Sequence, residues 1–312
     1  RWASTALRRI GWPATRAAVQ ELVAPIATGR DESDIGALMD DLMRKLHLLG
    51  RTGPVIYALS ALDIALWDIA GKRAGKPVYA LLGGAKRTTL EAYARLMRYG
   101  AAALVAKHAK AALARGYRHV KLHEVGVDMV RAAREAIGPG VSLMMDVNCP
   151  WTVDEALAVA DAVRPYDLHW FEEPVYPPED YAALAAVRAK ARTPIGAGEN
   201  AVSWVDFQRM FEIGAVDYAQ PSVTKIGGIT QMMRIAALAK AHGVKLALHS
   251  PYFGSGLLAT LHVASVLDEA TLVEVSFAEL GANPLGDAID VADGRMKVPT
   301  GPGLGRDPDP AI

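Results

Sequence analysis

The sequence lacks a pair of cysteines: Cys149 is the one cysteine in 312 residues. An internal disulfide is therefore excluded, which fits a reducing compartment. Net charge is lacking too, because 34 Lys and Arg balance 34 Asp and Glu. A nucleic-acid surface needs basic residues in excess and an acidic disordered tail needs the reverse, so the balance speaks against both. No uncharged apolar run reaches the roughly 18–20 residues that span a bilayer. The most apolar stretch, Val55 to Ala70, is interrupted by Asp63 and Asp68. The opening residues, RWASTALRRIGWP, hold no continuous apolar segment of the signal-peptide kind. No G-x-G-x-x-G fingerprint of dinucleotide binding follows any apolar run. The expectations are a cytoplasmic protein with no nucleic-acid and no membrane partner.

What is present changes character near residue 90. Residues 1–85 read as helical. In Ala58 to Ala70, Leu59, Leu62, Leu66 and Ile69 fall on one helical face, with Gly71 and Gly75 loosening the helix before Pro77. From Leu90 onward, short apolar runs alternate with Ala-rich amphipathic stretches. The runs are Leu90 to Ala94, Tyr117 to Leu122, Val141 to Val147, Leu168 to Phe171, Ile195 to Ala197, Val216 to Ala219, Val244 to Leu248 and Thr271 to Val275. Thr152-x-x-Glu155 opens one intervening helix with a capping box, and Gly243 closes another. Strand and helix alternating in this way imply parallel strands joined by crossover helices. Eight strands fit a closed (β/α) barrel better than an open doubly wound sheet.

Charged and polar residues recur at the ends of these runs. Lys121 and His123 end the second, Asp146 the third and Glu172 the fourth. Glu199 follows the fifth, and Ser222 and Lys225 follow the sixth. His249 ends the seventh, and Glu274 lies in the eighth. From Lys121 to Glu274 these positions recur every 23–27 residues, which is one βα unit. In a closed barrel they share the C-terminal mouth.

Asp146, Glu172 and Glu199 converging there would repel one another unless a cation lay between them. Three hard oxygen donors suit Mg²⁺, and with no Cys or His among them zinc fits less well. Each acid alone reads as a surface residue or half of a salt bridge; three in register do not. Lys121 and His123 share one face of their strand. Beside a divalent cation in a partly dry mouth, Lys121 is expected to have a lowered pKa, as a base requires. The plainer readings are a Lys121–Asp146 salt bridge and an interior, hydrogen-bonded His123. His249 comes from the opposite side of the ring, which places two proton-transfer groups across a metal-bound substrate.

The segment ALSALDIALWDIAGKRAGKPVYALLGG and the motifs HVKLH, MMDVN, WFEEP, GAGEN, QPSVTKIGG and LALHS resemble, in order, those of the enolase superfamily in its mandelate racemase and muconate-lactonizing branch. The resemblance implies a modified TIM barrel of (β/α)7β type with a partial N-terminal α+β capping domain. The cap would be residues 1–88, lacking the strands and flexible loop that precede the helices in that family. The barrel would be residues 89–280, and residues 281–312 the return to the cap. It implies Mg²⁺ on Asp146, Glu172 and Glu199, with Lys121, His123, His249 and Glu274 as catalytic residues. Asn148 and Lys225 would contact substrate. The implied reaction removes the proton α to a carboxylate of a small-molecule sugar acid or lactone, Mg²⁺ and Glu274 stabilising the enolate. The implied assembly is a homo-oligomer.

Two departures stand out. His123 occupies the second position of the family's Lys-x-Lys motif, which leaves open whether it or Lys121 is the base. Ser222 replaces the aspartate that pairs with the strand-seven histidine, so His249 should be less basic. An acid-sugar dehydratase or lactone cycloisomerase is the leading expectation. A racemase or epimerase of 2-hydroxy acids is the alternative, and a non-catalytic barrel is the reading from another class. Lys225 is equally compatible with a structural contact to a metal-ligand carboxylate.

Overall fold

Every apolar run from Leu90 onward forms a strand in the computed structural model, which describes residues 13–269 and 271–311. The helical reading of residues 1–12 lies outside the described residues. The strands are β1 (Thr89–Arg95), β2 (His119–Leu122), β3 (Ser142–Asp146), β4 (Leu168–Glu172), β5 (Ile195–Ala197), β6 (Tyr218–Ala219), β7 (Lys245–Leu246) and β8 (Val273–Ser276). A helix follows each of the first seven, and the order around the sheet is β7-β6-β5-β4-β3-β2-β1-β8, all parallel. This is the expected (β/α)7β barrel. The capping box at Thr152 and Glu155 and the left-handed Gly243 cap both form as expected. A ninth strand (β9, Arg295–Lys297) pairs antiparallel with β1.

Barrel closure differs from a simple eight-strand ring. Among the described residues, β7 and β8 share no backbone ladder, and side chains bridge them instead. Ser250 Oγ donates to Glu274 O at 3.0 Å and accepts from Glu274 N at 3.2 Å. Thr271 Oγ1 donates to Leu246 O at 2.7 Å. The serine satisfies the amide and carbonyl that a neighbouring strand would otherwise take.

The long cap helix Gly53–Ala74 buries two faces. Leu59 and Leu66 pack with the helix Ile35–Leu46, whereas Ile64 belongs to the barrel core. Ile69, expected on the buried face, is 40% exposed. Gly71 does not loosen the helix. It lies within it, where a Cβ would come 2.6 Å from Gly303 Cα, and the left-handed Gly75 ends the helix. Residues near the C-terminus meet this helix and the turn after it: Leu304 N donates to Asp68 Oδ1 at 2.8 Å, and Val78 N to Gly303 O at 2.9 Å. By length and hydropathy alone the helix is long enough to cross a membrane. In this fold it lies between cap and barrel.

Asp63 and Ser60 on this helix join it to the barrel. They accept backbone N–H groups at the start of the helix Gly228–His242, Ser60 Oγ from Gly227 at 2.8 Å and Asp63 Oδ1 from Thr230 at 3.1 Å. These helix-terminal donors would otherwise lack partners. Gly227 and Gly228 both have positive φ, and a Cβ on Gly228 would sit 2.2 Å from Asp63 Oδ1, so the Gly-Gly pair is what lets the two domains approach. Burial pushes the Asp63 carboxyl up to about 6, against the pull of these hydrogen bonds. A raised folded-state pKa contributes stability that is full below the ordinary carboxyl value and is lost as pH rises through about 6. Asp63→Asn keeps an acceptor and removes the charge. It is expected to raise stability by of order 1–3 kcal/mol at pH 8 and to change little near pH 4. Urea midpoints at the two pH values check this.

Candidate active site

The ends of β3, β4 and β5 bring three carboxylates together. Asp146 and Glu172 are direct partners in the β3–β4 register. Glu199 is turned in by Gly198, whose φ is +130° and whose Cβ would press on Phe207 at 2.8 Å. One oxygen from each of Asp146, Glu172 and Glu199 lies within 4.8 Å of the others. All-oxygen ligation at this spacing fits a hard divalent cation. The electrostatics fit as well. Burial pushes the Glu172 carboxyl well above its usual range, with Asp146 and Glu274 adding to the shift. A cation among the three would relieve that repulsion.

Lys121 sits beneath them, fully buried. Its Nζ lies 2.7 Å from Glu172 Oε1, 2.9 Å from Glu274 Oε1 and 3.1 Å from Asp146 Oδ2. The plain reading, a salt bridge to Asp146, is part of what the structure shows. Burial works to lower its pKa, but Glu172, Glu274 and Asp146 outweigh it and hold the ammonium protonated. Glu274 in turn is kept ionised: burial opposes this, and Lys121, His249 and Arg95 overcome it. Glu274 Oε2 accepts from Ser250 N at 3.1 Å.

His123 Nε2 lies 3.0 Å from the same Asp146 oxygen that Lys121 contacts, while its Nδ1 has no hydrogen-bond partner among the described residues. Asn148, at φ +56°, is exposed just beyond β3, and its N–H donates to Asp146 Oδ1 at 3.2 Å. Across the mouth, His249 Nε2 is 2.6 Å from Glu199 Oε2 and 3.9 Å from Glu274 Oε2. Lys225 Nζ donates to the main-chain oxygen of Glu199 at 3.1 Å and lies 4.0 Å from its Oε1, so it touches a metal-ligand candidate directly. All nine expected site residues thus gather at the C-terminal mouth.

Residues 104–312 match the family described as enolase C-terminal domain-like, and residues 11–83 match the mandelate racemase / muconate lactonizing enzyme N-terminal domain. The chain belongs to the mandelate racemase/muconate-lactonizing branch of the enolase superfamily. Relatives within the branch include a D-galactonate dehydratase family member of Catenulispora acidiphila. It is 37% identical over 276 residues, covering 77% of this chain and 63% of the relative. A 3,6-anhydro-alpha-L-galactonate cycloisomerase of Streptomyces coelicolor is 34% identical over 284 residues, covering 89% and 76%. The crystal structure of L-talarate dehydratase from Polaromonas, complexed with Mg and L-glucarate, superimposes with a TM-score of 0.85 at 31% identity, covering 97% of this chain and 85% of that one.

Several residues that complete this enolase-superfamily site are not among those expected from sequence. Trp170 Nε1 donates to Glu172 Oε2 at 2.7 Å, so both Glu172 oxygens are oriented, one by Lys121 and one by Trp170. Arg95 Nε stands 3.5 Å from Glu274 Oε1. Glu173 is buried beside Asn200, whose Nδ2 lies 2.9 Å from both of its oxygens. Burial, with Glu199 and Asp146, pushes its carboxyl up to about 8. Arg98 Nε donates to His123 O at 2.6 Å, and its Nη2 reaches Val147 O and Asn148 Oδ1 at 3.5 Å. Among the described residues, no carboxylate lies in ion-pair range of Arg98. Arg95 shares a strand face with Tyr93 at the end of β1, so alternation was the available signal for it, whereas Arg98 lies beyond the strand and had no such signal. Trp170, two residues before Glu172 on one strand face, was legible in the same way.

Proposed function

We propose that this chain is a Mg²⁺-dependent lyase or isomerase that removes the proton α to the carboxylate of a sugar acid or its lactone, acting as an acid-sugar dehydratase or a lactone cycloisomerase. The observation that carries the reading is the three-carboxylate cluster of β3–β5 with Lys121 and His123 on one side and His249 on the other. A Mg²⁺ held by Asp146, Glu172 and Glu199 would supply the Lewis acidity that makes such a proton removable.

The protein's own groups divide the remaining work. Lys121 is saturated by three carboxylates and keeps them convergent. His123, whose Nε2 lies beside Asp146 at the carboxylate cluster, takes the α-proton. His249 delivers a proton to the departing oxygen as the bond from carbon to that oxygen breaks, so a hydroxyl leaves as water. Asn148 and the unneutralised Arg98 suit the oxygen-rich far end of a sugar acid. Lys225 positions Glu199 and contributes positive charge at the rim.

The naming of relatives as a galactonate dehydratase family member and an anhydrogalactonate cycloisomerase supports the same substrate class. A panel of aldonates, aldarates and their lactones, assayed with Mg²⁺ and with EDTA, tests the proposal. Metal-dependent loss of water or ring rearrangement is expected; turnover confined to carboxylates without hydroxyl groups would overturn it. One observation favours a racemase or epimerase, the opposed placement of His123 and His249. In deuterium oxide that activity would label the α-position of recovered substrate without release of water.

A further inference from the structure

His249 is gripped at both ring nitrogens, and the second grip is unlike the one its family resemblance implies. Nε2 meets Glu199, as described. Nδ1 lies 3.4 Å from the hydroxyl of Tyr252, whose ring stands edge-on at 5.9 Å and 82°. That hydroxyl is also hydrogen-bonded to Ser222 Oγ, and Ser222 lies 3.4 Å from Thr224 Oγ1. Ser222 is fully buried. Space for the tyrosine ring depends on Gly256, where a Cβ would come 2.6 Å from Thr224 Cγ2 and 3.2 Å from Tyr252 Cδ2.

We propose that Tyr252 is the positioning residue of His249, with Ser222 as its anchor, and that the two hydroxyls together replace the carboxylate usual at position 222. The partner at one imidazole nitrogen sets the ring plane and the tautomer presented by the other. A carboxylate only accepts, which favours a proton on Nδ1. A phenol hydroxyl donates or accepts, so it holds the ring before and after His249 gives up a proton. Size ties the pair together. The Tyr252 hydroxyl occupies the room that the shorter serine leaves, and an aspartate at 222 would collide with it. Ser222 and Tyr252 should therefore be energetically coupled.

The kinetic consequence rests on the proposed role of His249, but the spectroscopic consequence does not. The full chain, labelled with ¹⁵N-histidine and loaded with Mg²⁺, is compared with Tyr252→Phe, Ser222→Ala and the pair Ser222→Asp/Tyr252→Phe. His249 resonances are assigned by their loss in His249→Gln. With Glu199 beside Nε2, Tyr252→Phe should move the Nδ1 resonance by removing its hydroxyl partner, and the double variant, with a carboxylate at each nitrogen, should show both nitrogens protonated. On a substrate found by the panel above, Tyr252→Phe should lower kcat roughly 10–100-fold with KM little changed. Unshifted His249 resonances in a folded Tyr252→Phe protein overturn the proposal, whatever its activity. Should that variant not fold, Ser222→Ala decides: the same resonances move, or the proposal fails. If no substrate is found, the spectra still decide.

Discussion

Lys121→Met is expected to cost about 3–5 kcal/mol of stability in EDTA, the usual penalty for removing one partner from a buried ionic cluster. Methionine nearly matches the lysine stem in volume, so the loss reports the charge. Asp146, Glu172 and Glu274 would be left buried around a point with no cation, where Lys121 Nζ now lies within 3.1 Å of all three. Their carboxyls would then rise in pKa. A raised carboxyl contributes stability that is present at low pH and lost as pH rises, so the deficit should be larger at pH 8 than at pH 5. Mg²⁺ should recover part of it, because the metal and Lys121 neutralise overlapping sets of oxygens. Activity should fall by about 10²-fold or more even in saturating Mg²⁺, since the ligands lose the group that orients them. Urea denaturation with EDTA and with Mg²⁺, at both pH values, provides the check. An unchanged midpoint in EDTA would mean that the cage is not charged.

Glu172→Gln should separate activity from stability. Glutamine retains an oxygen to face Lys121 or Trp170 but removes one anionic metal ligand. Losing about 3 kcal/mol of transition-state stabilisation corresponds to roughly 10²-fold in rate, with Mg²⁺ affinity falling at least as far. Metal-free stability should move the other way or hold level. The Glu172 carboxyl is already pushed up by burial, Asp146 and Glu274, and its ionised form is a cost that the amide avoids. Calorimetric titration with Mg²⁺ and urea denaturation in EDTA give the two readouts. Unchanged Mg²⁺ affinity would remove the metal site from these residues.

Much of the architecture was legible in the chain. Strand positions follow from apolar runs bounded by polar strand ends, and the capping box at Thr152 and the Gly243 cap are local devices that operate as the sequence implies. The metal-ligand candidates were legible for the same reason: one βα unit returns the chain to the same level of the barrel, so a period near 26 residues encodes convergence. What stayed hidden depends on pairs distant in sequence. Asp63 looked like an interruption in an apolar helix, yet it caps a barrel helix 167 residues away. Gly71 read as a breaker but is a contact point for Gly303. That Lys121 meets Glu172 and Glu274 as well as Asp146 stayed hidden too, because the sequence does not say how many carboxylates reach one ammonium.

The sequence by itself determined the order of strands and helices, the residue types at each strand end and the family to which they belong, because each depends on spacing along the chain. Only the tertiary structure decided which groups touch: that Lys121 serves three acids, that Ser250 bridges β7 and β8, and that the Tyr252 hydroxyl lies between Ser222 and His249 Nδ1. Those contacts depend on sheet curvature, register and side-chain reach, and a change of one ångström in any of them redistributes charge in a buried site where water does little to screen it.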